Sequence, residues 1–310
     1  MPIQAGSPSN RNDAAVGGAF TSSASRASRA ADITFPLLLA LADDEDAPAA
    51  IRVTAALADA KGAVPTVLRA LGDIRPAEAS LAPLAGSVLE EALDASYVET
   101  CRNALRAHVT AVVGPVGWPL EVNEQAPIDA IIEQVRNLRA GLIVMGLRRH
   151  GVLRRVIARD LLAEVLRAAR VPVLAVRPDI TSLPKRAVVA IDFSRASIRA
   201  AQLARQLLAD DGALCLVHVS PGNSDETRAR LERIIDELAP APGMTMTSIL
   251  LHGDIQASIE GFAQAVSADL LAMGSGHHGF LDRLTDGRIS MKLAHTARWS
   301  TLIVPAGRDD

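Results

Sequence analysis

Few residues of this sequence have the types and spacing that catalysis requires. Two histidines, His150 and His278, each precede a glycine, in "RRHG" and "GHHG", but no serine or cysteine nucleophile with a matching base accompanies them. No HExxH zinc pattern and no pair of carboxylates at an acid–base spacing occurs in the sequence. We interpret both histidines as polar loop residues and predict that the protein is not an enzyme.

The two His-Gly pairs belong to a longer repeat. "LIVMGLRRHGVLRRV" at 142–156 and "LLAMGSGHHGFLDRL" at 270–284 share a Met-Gly, a His-Gly, a leucine and an arginine in step. The preceding residues, 123–146 and 251–274, align without a gap. We interpret this as an internal duplication. A chain of 310 residues is long enough for two domains of ordinary size.

Each half alternates helical and strand patterns. Apolar residues recur at helical spacing before a short apolar run in both halves, at Ile128, Ile131, Ile132, Val135 and Leu138 and again at Ile255, Ile259, Phe262 and Val266. Asp254 is a good N-cap for the second of these helices. Other apolar runs, "FPLLLALAD", "AVPTVLRAL", "VPVLAV", "RAVVAIDFS", "ALCLVHV" and "STLIVP", indicate strands. Continuous apolar strands between helices predict a doubly wound parallel sheet in each half.

Composition and charge exclude several classes of protein. The residues are 49% apolar with a net charge of −3, and the basic residues are scattered, which argues against direct nucleic-acid binding. No apolar run approaches the ~20 residues that a membrane helix needs. The two cysteines form no CxxC pattern, as expected in a reducing cytoplasm. We therefore expect a soluble cytoplasmic protein.

The chain divides into a tail and two domains. Residues 1–31 are rich in Ser, Ala, Gly and Arg without apolar periodicity, and we predict a disordered tail, although an organelle transit peptide has a similar bias. Residues 32–178 form the first predicted domain and 184–310 the second. The linker "RPDITSLPK" lies between them. We call the two domains the first half and the second half.

The blocks of the second half carry a family resemblance. "VVAIDFSRASIRAAQLA", "LCLVHV", "LHGDIQASI", "LLAMGSGHHG" and "STLIVP", in this order, resemble a universal stress protein domain. The first half resembles the same family through "IDAIIEQVRNLRAGLIVMG" and "VPVLAV", so the chain is similar to a tandem universal stress protein. The resemblance implies α/β domains with five-stranded parallel sheets in strand order 3-2-1-4-5. It also implies, in many members, an adenine nucleotide such as ATP between strands 1 and 4.

Four residues of the second half are candidates for contacting such a nucleotide. They follow or end the strands where ligands of open α/β sheets bind: Asp192, Val219, Gly253 and Gly274. Asp192 is suited to accept hydrogen bonds from adenine or ribose, and Gly274 would let the backbone approach phosphates closely. A turn or cap role for Asp192 and a tight turn at Gly274 are equally open interpretations. His252 and His277 are further candidates to face this crevice.

The phosphate loop of nucleotide-binding members matches only in part. By resemblance it reads Gly, two residues, Gly, nine residues, Gly and then Ser or Thr. Gly274 and Gly287 take the first and third glycine places, whereas His277 replaces the second glycine and Arg288 replaces the Ser or Thr. A side chain at His277 hinders close backbone approach, but Arg288 could contact a phosphate through its guanidinium instead.

The first half departs further from the pattern. Gly146 survives, but Arg149, Arg159 and Asp160 occupy the other places of the loop. Ala42 falls opposite Asp192, and the acidic run at 43–46 would repel phosphate unless it is only a solvated loop. We predict that the first half binds no nucleotide.

Three functions remain open from the sequence. The leading one is a non-enzymatic stress-response protein that binds an adenine nucleotide in its second half. The second is a nucleotide-free interaction scaffold of the same family with an unidentified protein partner, and the third is an enzyme on a related nucleotide-binding fold. We also predict that the halves pack as an intrachain pseudo-dimer through 171–176 and 300–305, whose edges would otherwise be exposed. A further homodimer of whole chains stays open.

Overall fold

The computed structural model describes residues 36–41, 47–61, 64–72, 87–147, 152–220, 222, 224–239, 241–275 and 298–307. For residues 61, 87–94 and 152–160 it describes the backbone alone. The predicted tail at 1–31 lies outside this part of the chain.

The first half contains the predicted alternation of strands and helices. Its strands are β1 (Leu37–Leu41), β2 (Thr66–Ala70), β3 (Leu120–Asn123), β4 (Leu142–Gly146) and β5 (Val173–Val176). Its helices are α1 (Ala47–Lys61), α2 (Ser87–Val113), α3 (Pro127–Leu138) and α4 (Val152–Ala169). All residues of β1 and β5 are buried, as their continuous apolar sequences predict.

The second half follows the same plan. Its strands are β6 (Arg186–Ala190), β7 (Ala213–Val219), β8 (Thr245–Leu251), β9 (Leu270–Ser275) and β10 (Ser300–Pro305). Its described helices are α5 (Arg195–Leu207), α6 (Asp225–Leu238) and α7 (Ile255–Ala265). A side-chain oxygen caps the first turn of each: Ser194, Ser224 and Asp254 accept hydrogen bonds from the backbone N–H three residues later. The prediction that Asp254 begins a helix is confirmed.

All ten strands join in one sheet, in the order β3-β2-β1-β4-β5-β10-β9-β6-β7-β8. Read outward from the centre, each half has the order 5-4-1-2-3, so the predicted doubly wound topology is confirmed in both. Pairing within each half is parallel. Parallel neighbours need crossover connections, and helices supply them between all consecutive strands of each half except β9 and β10, whose connection lies outside the described residues.

The two halves meet at the seam, which we define as the antiparallel pairing of β5 with β10. Its register pairs Thr301 with Ala175, Leu302 with Leu174, and Ile303 with Val173. The Arg177 N–H, just after β5, donates to Ser300 Oγ at 3.2 Å, and its guanidinium donates to the Arg298 carbonyl. The predicted intrachain pseudo-dimer is confirmed, and the seam makes two sheets into one.

The hydrophobic core is shared on one face of the sheet and divided on the other. One cluster runs across the seam, from Leu39 and Val144 through Leu174 and Leu302 to Leu216. On the opposite face the second half and the first half have separate clusters. The halves are therefore coupled by a common core as well as by the seam. No helix in the described ranges is long and apolar enough to cross a membrane.

Candidate functional site

The winding of the second half reverses between β6 and β9. These strands are parallel neighbours, with Ala190 beside Met273 at their carboxyl ends. After β6 the chain turns into α5 and continues to β7 on one side, whereas after β9 it continues to β10 on the other. Such a reversal opens a crevice at the carboxyl ends of the strands, which is where open α/β sheets bind ligands.

Asp192 lies at the mouth of this crevice, in the turn between β6 and α5. Its Oδ1 accepts hydrogen bonds from the backbone N–H of Ser194 at 3.0 Å and from the Ser194 hydroxyl at 2.6 Å. Ser194 Oγ in turn accepts from the Ser197 N–H at 3.1 Å and caps α5. Asp192 therefore does have the turn role that the sequence left open, and this role fixes its carboxylate beside the start of the helix.

The environment of Asp192 keeps it ionised. Burial alone would raise its pKa, but the hydrogen bonds from Ser194 and Ser197 outweigh burial, so that the pKa of Asp192 lies below its ordinary value of 3.8. The carboxylate is thus charged at neutral pH. It is half-buried and has an oxygen that accepts two hydrogen bonds from within the turn.

This lowered pKa predicts a pH-dependent contribution to stability. Because the folded-state pKa is below 3.8, ionised Asp192 stabilises the fold above that pH, and the contribution is lost as the pH falls through the folded pKa. We expect the difference in unfolding free energy between wild type and Asp192→Asn to be largest near neutral pH and to shrink below about pH 4. Urea unfolding of both proteins across this range measures it. A difference that stays constant into the acid range would contradict this role of Asp192.

The switch-point crevice, as we call it, is small and largely apolar at its base. Its volume is about 40 Å³, enough for a few water molecules but far below the about 300 Å³ of a small ligand pocket. Its lining is Ala190, Ile191, Asp192, Ser197, Val217, His218, Val219, Ile259, Met273 and Gly274. Three predicted site residues, Asp192, Val219 and Gly274, therefore come together there. It can hold one edge of a ligand whose remainder lies outside.

His218 is a residue of the crevice that sequence reasoning missed. Its Nδ1 lies 2.7 Å from the Ile191 carbonyl oxygen. Because a carbonyl only accepts, Nδ1 carries the proton and donates it, and Nε2 is an acceptor whenever the ring is neutral. The available signal was a histidine within the otherwise apolar strand "ALCLVHV".

Phe193 and Arg230 support His218 from outside. The Phe193 ring lies 4.8 Å from the His218 ring, centroid to centroid, and the Arg230 guanidinium carbon lies 3.9 Å from the centre of the Phe193 ring. Phe193 has a φ of 65°, a conformation that a bulky residue adopts only when its surroundings enforce it. The cation–π contact with Arg230 and the hydrogen bonds between Asp192 and Ser194, the residues on either side of Phe193, hold Phe193 in this conformation.

Gly274 is required by packing within the protein. A Cβ built on Gly274 would lie 2.5 Å from the Ala196 carbonyl carbon and 2.8 Å from its Cβ, and nearer still to the Ser197 nitrogen. The first turn of α5 thus crosses directly over the end of β9. The absence of a side chain brings the N-terminus of α5 to the floor of the crevice.

Gly253 lies apart from the crevice lining, in the turn after β8. Its φ is 107°, which favours glycine there. The turn is fixed on both sides, because His252 Nδ1 donates to the Ser220 carbonyl at 2.9 Å and the Ser258 hydroxyl donates to the His252 carbonyl at 2.9 Å. The structure gives Gly253 a role in the turn, and its predicted ligand contact stays a prediction.

The remaining predicted site residues lie outside the described residues. These are His277, His278, Gly287 and Arg288 of the second half and Ala42, Arg149, His150 and the acidic run at 43–46 of the first. The side chains of Arg159 and Asp160 are likewise outside the description, although their backbone is in α4. Gly146 is the fifth residue of β4, as Gly274 is the fifth residue of β9.

The described residues offer little for covalent or metal chemistry. They contain no cluster of three or more His, Cys, Asp or Glu residues that could hold a metal ion. Cys215 is buried in β7, and burial raises its pKa to about 11, so it is a neutral thiol at physiological pH. The switch-point crevice can accept hydrogen bonds from the polar edge of a ligand.

Comparison with known proteins agrees with this architecture. The family model described as the universal stress protein family matches the chain twice, at residues 35–177 and 184–305. A universal stress protein from Archaeoglobus fulgidus superimposes with a TM-score of 0.63 and 21% identity, over 89% of this chain and 98% of that one. A putative universal stress protein from Pseudomonas aeruginosa gives a TM-score of 0.53 and 17% identity, over 87% and 92%.

A universal stress protein solved in complex with cAMP is 24% identical over 41% of this chain and 98% of that one, with a TM-score of 0.31. The search of curated proteins returned no match to the chain. The two matches of the family model cover most of the residues, one in each half of the sheet. The chain belongs to the universal stress protein family and carries two of its domains in tandem.

Proposed function

We propose that this protein is a non-enzymatic stress-response protein that binds one adenine nucleotide, ATP, at the switch-point crevice of its second half. The observation that carries the proposal is the meeting of an ionised carboxylate, Asp192, with Val219 and Gly274 where the winding reverses. Gly253, His277, Gly287 and Arg288 complete the proposed site. Its setting is the cytoplasm, which the two free, buried cysteines support.

The groups in the crevice suit adenine better than guanine. The Asp192 carboxylate only accepts hydrogen bonds, and neutral His218 accepts at Nε2. Adenine presents an exocyclic amine, a donor, where guanine presents a carbonyl oxygen, an acceptor. The crevice also has apolar walls at Val219 and Ile259 for the flat face of a base.

The charge of Asp192 places the phosphates away from it. A carboxylate and a phosphate repel each other, so in the proposed complex the base or ribose lies at Asp192 and the phosphates extend over the end of β9. The N–H groups at the start of α5 add positive potential at that point, because Gly274 allows the helix to approach. Arg288 would supply the charged contact to phosphate.

The alternative is a nucleotide-free interaction scaffold of the same fold. The small volume of the crevice favours it, as does the histidine in place of the second loop glycine. Under this alternative Asp192 serves only the turn before α5. The two candidates differ in one measurable property, namely whether ATP binds.

The Asp192→Asn variant tests the proposal. The asparagine side chain can still accept the hydrogen bonds of the turn, but it carries no charge and presents an amide donor. Since a hydrogen bond to a charged group contributes about 1.5–3 kcal/mol, we expect ATP affinity to fall about tenfold to a hundredfold. Calorimetric titration with ATP, GTP and adenosine measures this, and wild type should bind ATP more tightly than GTP.

Asp211→Asn is the matched control. Asp211 precedes β7, at the amino ends of the strands and away from the crevice, where it pairs with Lys185 at 3.0 Å. Its pKa is also lowered, mainly by that lysine. This variant should bind ATP as wild type does. No measurable ATP binding by wild type would favour the scaffold, and equal affinities of wild type and Asp192→Asn would remove Asp192 from the site.

A further inference from the structure

At the side of the second half farthest from the seam, the sheet ends in an edge strand that lacks the usual protection. β8 is the last strand of the sheet, and among the described residues no strand pairs with its outer side. Its seven residues, "TMTSILL", contain no charge and no proline, and six of them are only partly buried. Edge strands of this length normally carry a charge, a proline or a bulge that prevents pairing with other chains.

The backbone alternation shows which groups face outward. The Thr245 N–H donates to the Gly212 carbonyl and the Leu251 carbonyl accepts from Ser220, so these two residues face β7. Because the direction alternates along a strand, the N–H and C=O groups of Met246, Ser248 and Leu250 point away from the sheet. They form a row of donors and acceptors at hydrogen-bonding spacing.

The opposite edge of the sheet is protected in the ways that β8 is not. β3 has four residues, it follows Pro119, and it carries the exposed Glu121 at its centre. The Pro119 and Asn123 carbonyls accept hydrogen bonds from the β2 side, from a residue of β2 and from the residue just after it. Only the N–H and C=O groups of Leu120 and Val122 therefore face outward. The difference between the edges therefore lies in the strands themselves and is not general to the fold.

We propose that β8 is an interface at which a second copy of this chain adds its own β8 antiparallel, about a two-fold axis through Ser248. The strand is self-complementary about that residue. Ser248 would face Ser248 of the second copy, and Met246 of each copy would face Leu250 of the other. Every outward N–H and C=O of the three residues then finds a partner, and no charges oppose each other.

Packing on both sides of β8 is compatible with this arrangement. The Met246 and Leu250 side chains pack on the core cluster that runs across the seam, and Ile249 packs on the cluster of the other face. Pairing β8 with a second β8 would extend both layers across the axis. The chain already joins two sheets in this way at its seam, where β5 and β10 pair edge to edge and antiparallel.

The test is the oligomeric state of the full chain and its Ser248→Lys variant, measured by sedimentation equilibrium over a range of concentrations. Wild type should be a dimer. Ser248→Lys places two like charges opposite each other on the axis and should raise the dimer dissociation constant at least about tenfold. Ser248→Thr, which is uncharged and suits a strand, should remain a dimer, as should Ser182→Lys, which puts the same charge on the exposed linker.

Amide hydrogen exchange gives a second readout that does not depend on a variant. In the dimer the Met246, Ser248 and Leu250 amides should be protected, and they should exchange rapidly on dilution to monomer. A wild type that stays monomeric up to about 100 μM, far above a micromolar Kd, overturns the proposal and leaves the edge to another occupant. A dimer that survives Ser248→Lys, or that leaves these amides unprotected, overturns it as well.

Discussion

The Gly274→Ala variant is expected to lose at least about 3 kcal/mol of unfolding free energy, at the upper end of what overpacking costs. The new Cβ would lie within 2.8 Å of three atoms of Ala196 and Ser197, two of them backbone atoms at the start of α5. These cannot move aside as the end of a flexible side chain would. The helix must shift away from β9, which strips its cap and the Asp192 turn of their hydrogen bonds.

Gly261→Ala is the control for this prediction. Gly261 is exposed within α7 and nothing lies within 4 Å of the Cβ that the substitution adds. Alanine is a better helix former, so this variant should gain about 0.5–1 kcal/mol. Urea unfolding of both variants measures the contrast. A Gly274→Ala protein as stable as wild type would show that α5 does not pack on β9 as closely as described.

The second large effect is expected at the seam, where Leu302→Ala should cost about 2–5 kcal/mol. Leu302 is fully buried opposite Leu174 and belongs to the cluster that both halves share. Removing its side chain leaves a cavity in the core cluster that covers the seam. Because the cluster crosses the seam, the loss should appear in both halves, including faster hydrogen exchange at the β4 amides of the first half.

Val64→Ala is the control at an apolar position that is 63% exposed, and it should change stability by less than about 0.5 kcal/mol. The comparison is made by chemical denaturation followed with a probe in each half. Two independent transitions, with the first half unaffected by Leu302→Ala, would contradict a shared core. A single transition that shifts as a whole would support it.

The sequence predicted the fold largely because its strands are buried on both faces. Runs such as "FPLLLALAD" and "STLIVP" have no alternation, which indicates a parallel sheet covered by helices. The strand order was an expectation from the resemblance to universal stress proteins, and the duplication extended it to both halves. The seam followed from the same physics, since an apolar edge strand at the end of each domain must be covered. β5 and β10 cover each other.

The site could be predicted only as a set of positions. Spacing along the chain placed Asp192, Val219 and Gly274 at strand ends, but it does not say which helix crosses which strand, and so the contact of α5 with Gly274 was not foreseen. His218 was missed because a histidine in an apolar strand has no partner in the sequence. Its partner, the Ile191 carbonyl, is a backbone group just after the neighbouring strand β6.

The domain boundaries at 32–178 and 184–310 stay a prediction, as does the tail at 1–31. Within the linker that separates the halves, the chain is held at Lys185 and just beyond it at Arg186. Their backbone N–H groups both donate to Asp269 Oδ2, at 2.9 and 3.0 Å. Protease cleavage of the linker is therefore expected to fall before Lys185.

Native mass spectrometry of the freshly purified 310-residue chain with added ATP tests most directly whether the second half alone binds an adenine nucleotide. Wild type and Asp211→Asn are predicted to carry one ATP per chain, and Asp192→Asn is predicted to carry ATP on only a small fraction of chains at the same concentration. Two ATP molecules per chain, no ATP on the wild type, or full occupancy in Asp192→Asn would each contradict a single nucleotide site at Asp192.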